Sequence, residues 1–140
     1  MRLLVVLYLL LTLPQLVWGN AVSDSIIAIL HQKARLDPTW TIQTGDDLLA
    51  SPDLTAAQRA DLLLAMGTAQ QARGALAEAL VVTQEAFRIF DSLQLPKGKY
   101  AALNNLGTMQ LSLNNLEAAA GYFEAVWQGQ GASKSVQAYA

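Results

Sequence analysis

One histidine, a scatter of carboxylates and no cysteine are what this sequence offers for chemistry. His31 sits beside Gln32 and Lys33, with no Ser, Cys or carboxylate at the spacing of a nucleophile–base–orienter set. A zinc centre takes three or four protein ligands, which one imidazole without thiolates does not supply. His31 therefore reads as a solvated or partly buried structural residue. Asp46-Asp47, Glu78, Glu85, Glu117 and Glu124 would have to face one another across a cleft to act as a glycosidase pair. Their scattered spacing instead reads as a solvated face. The glycines form neither a Gly-x4-Gly-Lys-Ser/Thr loop nor a Gly-x-Gly-x2-Gly turn, and Gly129-Gln130-Gly131 is an isolated loop signal. The expectation is a chain with no catalytic set, no cofactor and no metal site, whose work is binding.

Composition narrows the kind of binding. The chain has 140 residues, 53% hydrophobic and only 14% charged, with a net charge of −2. So much Leu and Ala with so little charge favours packed helices over disorder. Nucleic acid is excluded as a partner, because Lys and Arg are few and unclustered. The absence of Cys also removes disulfides and a lipid-modified cysteine anchor. There is no Asn-x-Ser/Thr acceptor.

Residues 1–19 read as a secretory signal peptide. Arg2 supplies the positive start, Leu3 to Leu13 are apolar except Thr12, Pro14 breaks the run, and the small residues Gly19 and Ala21 suit cleavage. The competing reading is an uncleaved signal anchor. Leu3 to Trp18 falls short of the roughly 20 apolar residues of a spanning helix and contains Pro14 and Gln15. The expected location is therefore exported, periplasmic or otherwise extracytoplasmic, with no membrane span after cleavage.

Beyond Ser23 the chain reads as helices joined by short turns. Ser23-Asp24 can cap a first helix carrying Ile26, Ile27, Ile29 and Leu30. Asp37-Pro38 starts a second, since the Asp side chain accepts free amides and Pro at the first helical position loses nothing. Gly45 weakens that helix. Thr55 and Gln58 form a capping box for a helix to about Arg73, which Gly74 stops. Another helix runs from Ala75 to about Leu93, and Leu95-Pro96-Lys97-Gly98 is expected to turn the chain. A fifth runs from about Lys99 to Leu113. Asn114 and Glu117 are expected to cap a sixth that reaches about Gln128, followed by a loop at Gly129-Gln130-Gly131.

A shift of about 40 residues superimposes two stretches, and repeats of this length mark stacked helical units. Leu63, Gly67, Thr68, Gln70, Leu76 and Ala79 fall on Leu103, Gly107, Thr108, Gln110, Leu116 and Ala119. Similar residues also coincide: Met66 with Leu106, Ala86 with Val126, Phe87 with Trp127. The small residues belong where two helices cross closely, because a bulky side chain there would open voids. Trp40, Phe87, Tyr122, Phe123 and Trp127 are expected to fill the core between helices. One helix pair cannot bury its own apolar face, so pairs must stack.

On these residues the chain resembles the tetratricopeptide repeat family in its longer-repeat form. The pattern Leu-x3-Gly-x6-Gly-x-Leu-x2-Ala-x6-Ala-Phe runs from Leu63 to Phe87, and a second copy runs through Leu103–Gly107, Leu116–Ala119 and Tyr122-Phe123. Residues 60–93 and 100–128 carry the resemblance. Thr83 stands where an aromatic is usual and Asp91 where Pro is common. The resemblance implies an all-α solenoid of stacked antiparallel helix pairs, divided into an N-terminal cap or degenerate repeat (23–54), one unit at 55–95 and another at 96–130. Val136 to Ala140 resembles the start of the preceding unit. A truncated further repeat is therefore expected over 131–140, as part of a longer protein.

The resemblance also implies a concave groove lined by the first helix of each pair. Its outward positions fall at Asp61, Leu64, Ala65, Thr68 and Gln71 in the first unit, and at Ala101, Asn104, Asn105, Thr108, Leu111 and Ser112 in the second. Asn105 is the sharpest of these. In peptide-binding relatives an Asn at this place grips the ligand backbone, since an amide both donates and accepts. Ala65 occupies the matching place in the first unit, so an Asn ladder would lack a rung. The other reading is that Asn105 only solvates the groove. No Lys/Arg cluster favours an acidic C-terminus. The expected function is a non-catalytic protein or peptide interaction module. The alternative is the exported sensor portion of a membrane signalling protein of histidine kinase or diguanylate cyclase type. An open array also exposes an apolar end that favours self-association.

Overall fold

A computed structural model describes residues 21–138; the expected signal peptide lies outside the described residues. Every regular element described is a helix: α1 over 21–33, α2 Pro38–Leu49, α3 Ala56–Ala72, α4 Leu76–Ser92, α5 Pro96–Ser112 and α6 Leu116–Ala138. None of the described helices is long and apolar enough to cross a membrane. From α2 onward each helix packs on the next, and α3 also touches α5. Antiparallel helices thus stack in one row, with alternate helices on the same side.

Capping chemistry sets several starts. Asp37 accepts the Trp40 amide at 3.1 Å, with Pro38 in the first turn of α2. Thr55 Oγ1 accepts the Gln58 amide at 3.2 Å, while Gln58 Oε1 accepts the Thr55 amide at 3.0 Å. The same Gln58 donates through Nε2 to Asp24 at 2.7 Å, tying α3 to α1. Asp24 therefore does not cap α1. The helix is already formed at residue 21, so Ser23 and Asp24 lie inside it.

The ends of α3, α4 and α5 share one geometry. After the closing residues Arg73, Leu93 and Leu113 come Gly74, Gln94 and Asn114, with φ of 79°, 54° and 58°. The next amide reaches back to the last turn, from Ala75 to Gln70, Leu95 to Phe90 and Asn115 to Gln110, each at 2.9 Å. This Schellman closure satisfies carbonyls that the helix leaves open. Two expectations shift as a result. Gln94 supplies the left-handed residue of a turn over 93–95, so Pro96 opens α5 and Lys97-Gly98 are helical. Asn114 is spent on the turn, so Asn115 does the capping, accepting the Ala118 amide at 3.4 Å.

The loop expected at Gly129-Gln130-Gly131 is helix, continuous to Ala138. Gly129 has a packing reason: a Cβ there would run into the Tyr100 ring of α5. Close approach, not a chain break, accounts for that glycine.

Two buried clusters hold the stack. Ile27 and Leu30 of α1 meet Leu62, Ala65 and Met66 of α3. Ala60, Leu63 and Leu64 of α3 meet Ala86 and Phe90 of α4 and Ala102 of α5. Gly67 lies against Thr83, and Gly107 lies against Phe123, where a Cβ would sit 2.7 Å from the ring. Ala79 and Ala119 are fully buried, as small residues at the crossings require. The aromatic core is thinner than expected. Phe87 packs against the second cluster, but its counterpart Trp127 is 81% exposed, and Trp40 lies at the surface beneath Lys33 at 5.1 Å. The reason at Trp127 is positional: α5 covers α4, whereas no further described helix covers α6.

Candidate functional site

Alternate helices bring their polar residues to a single pocket of about 550 Å³. Helix α1 contributes His31, α3 contributes Asp61, Leu64 and Thr68, and α5 contributes Lys97, Gly98, Ala101 and Asn105. Phe90, at the end of α4, and Leu95 in the turn complete the apolar part. The volume lies within the roughly 300–1,000 Å³ of ordinary ligand pockets. Among the described residues no cluster of His, Asp or Glu could hold a metal ion.

A short polar relay crosses this pocket. Asn105 Nδ2 donates to Thr68 Oγ1 at 3.3 Å, and Thr68 Oγ1 donates to the Leu64 carbonyl at 3.1 Å. Asn105 Oδ1 has no partner among the described residues, so this half-buried amide keeps an acceptor free.

His31 and Asp61 face each other electrostatically. His31 keeps an exposed edge, yet loss of water around its ring lowers its pKa from the ordinary 6.5, opposed by the attraction of Asp61. Partial burial raises Asp61 above its ordinary 3.8. His31 and Lys97 pull it down, and Asp24 pushes it up. Lys97 is exposed and takes part in no ion pair among the described residues, unlike Lys99, which reaches Asp91 at 2.6 Å.

The residues named from the sequence divide into two sets. Asp61, Leu64, Thr68, Ala101 and Asn105 line the pocket. Asn104 opens on a shallower one, with Lys97, Tyr100, Ala101, Val126 and Gln130. Thr108 and Ser112 turn their hydroxyls back onto their own helix, bonding the Asn104 and Thr108 carbonyls at 2.9 and 3.1 Å. Leu111 is 47% exposed farther along α5. Gln71 is half-buried and does not line the pocket. Leu64 is buried at 6% exposure yet reaches the pocket as part of its apolar lining, whereas Ala65 is core at 0% exposure. Helix α1 packs on Ala65 and covers it.

His31, Lys97, Phe90 and Leu95 were not visible as site residues from the sequence. Lys97 and Leu95 were hidden by the misplaced start of α5. His31 carried no motif at all. No family model, characterised protein or solved structure matches the chain.

Proposed function

We propose that this chain is an exported, non-catalytic interaction module of tetratricopeptide type, which holds an extended segment of another protein against the face shared by α1, α3 and α5. The observation that carries the reading is the convergence of Asp61, Thr68 and Asn105 from two alternate helices on one pocket with an apolar floor. The free Asn105 acceptor supports backbone recognition, because it can take a peptide N–H whatever the side chain. Burial of Ala65 under α1 limits the groove to a single amide rung. The leader pattern from Arg2 to Gly19 supports export, and exposed Trp127 on α6 supports self-association through that end.

The test is selection of random displayed peptides on the purified chain, followed by affinity measurement with Ala101→Trp. Ala101 is exposed and lines the pocket, so an indole there fills the pocket without entering the core. Enriched peptides are expected to bind the wild type and to lose at least about tenfold on the variant, the effect of about 1.4 kcal/mol. Equal binding to both proteins would remove the groove from the reading.

A further inference from the structure

The pocket has a polarity that the groove reading does not by itself require. Its floor is made of Leu64, Phe90 and Leu95, all apolar. The α1–α3 side holds the Asp61 carboxylate, with Asp24 close enough to act on it. The α5 side holds one ammonium, that of Lys97. His31, also on α1, lines the same side, and loss of water disfavours its imidazolium against the opposing pull of Asp61. One side of the pocket thus holds a carboxylate with no salt bridge among the described residues, and the other an ammonium.

We propose that the pocket selects an extended peptide in which an apolar side chain, seated on Leu64, Phe90 and Leu95, is next to a basic residue whose charge pairs with Asp61. The inference rests on the groove reading above and adds the chemistry of its ligand. Charge complementarity is the reason for the commitment. A ligand cation beside Asp61 offsets the repulsion from Asp24 and compensates the loss of water that partial burial imposes on the carboxylate. A ligand carboxylate at the same place would meet two acids. Lys97 repels the basic residue from the α5 side and so fixes which way the peptide lies.

The experiment uses four fluorescein-labelled peptides in a common Gly/Ser/Ala frame, with Leu-Lys, Leu-Gln, Leu-Glu or Ala-Lys at the centre. Anisotropy titrations are run at low and at high salt. On the wild type, Leu-Lys is expected to bind tightest. Leu-Gln should be weaker by about fivefold, the upper end for an ion pair with solvent access. Leu-Glu should be weaker again, and Ala-Lys weakened by loss of the apolar anchor. High salt should narrow the gap between Lys and Gln. Asp61→Asn, at an exposed position, should erase the preference for Lys over Gln and leave that for Leu over Ala. Lys and Gln binding equally to the wild type, or a Lys preference that survives Asp61→Asn, overturns the charge pairing while leaving the groove intact. Failure of all four peptides where selected peptides do bind also overturns it. If selected peptides fail as well, the groove reading falls with it.

Discussion

Asn105 on α5 donates to the Thr68 hydroxyl on α3 across 3.3 Å, and that hydroxyl donates in turn to the Leu64 carbonyl. The amide is therefore both a strut between two helices and a candidate clamp, and these roles separate by mutation. Thr68→Val removes the strut and should cost about 0.5–1.5 kcal/mol of stability, while leaving peptide affinity equal or higher because the amide is released. Asn105→Ala should weaken peptide binding by about tenfold, through loss of donor and acceptor together. Urea denaturation and anisotropy on the two variants check this. Unchanged peptide affinity in Asn105→Ala would leave the residue a strut and nothing more.

His31 is the one imidazole in the chain, so its ring resonances report a single titration by NMR. It should titrate below 6.5. Asp61→Asn should move it lower still, since the carboxylate is what holds it up against desolvation. For stability the sign follows from the lowered folded value. The contribution of His31 is complete above 6.5 and is lost as pH falls through the folded pKa. Asp61 runs the other way: its raised carboxyl favours the fold at acid pH, and that contribution is lost as pH rises through its folded value. His31→Gln should therefore flatten the early loss of stability on acidification from neutral pH. Urea midpoints at neutral and mildly acid pH measure it, and an unchanged slope would exclude His31 as the cause.

Gly107 and Phe123 should behave as a unit. Gly107→Ala places a methyl 2.7 Å from the Phe123 ring and is expected to destabilise by about 1–3 kcal/mol, as overpacking does. Phe123→Leu frees space at the crossing, so the double variant should be more stable than additivity of the two single changes allows. Thermal unfolding of the four-member cycle gives the coupling. Additive losses would mean that the helices shift apart instead of contesting that space.

Gln94 holds a left-handed backbone with a full side chain, at φ 54°. Gln94→Gly relieves a strain of about 1 kcal/mol or a little more, and should raise the urea midpoint. Gly74→Ala imposes the same strain at φ 79° and should lower it. If both changes leave the midpoint in place, the turn relaxes at no cost.

The helical class and most helix limits were legible because they rest on local signals: the Asp37-Pro38 start, the Thr55/Gln58 box and the Gly74 stop. The misreadings have a shared physical origin. Gln94 at a left-handed turn has no residue-type signature, so Pro96-Lys97-Gly98 passed for the turn and Lys97 was not placed at the pocket. Gly129 passed for a break because a glycine that admits a neighbouring ring looks, in sequence, like one that ends a helix. The site was partly legible. The resemblance to the repeat family placed Thr68 and Asn105 on the face that lines the pocket, but burial of Ala65 depended on α1, whose docking no repeat pattern encodes. His31 became a site residue only when α1 came to lie beside α3.

The shared closures at Gly74, Gln94 and Asn114 recur every twenty residues, and each reverses the direction of the chain. This gives the fold a parity. An in-frame duplication spanning two closures returns the copied helices to their own side, so residues that line the pocket would be repeated on the same face. A duplication spanning one closure would exchange inner and outer walls, carrying α4-type residues such as Val81 and Arg88 to where Asp61 and Asn105 stand. Growth or shrinkage of such a chain is therefore constrained to even numbers of helices, by the geometry of a three-residue turn repeated without change.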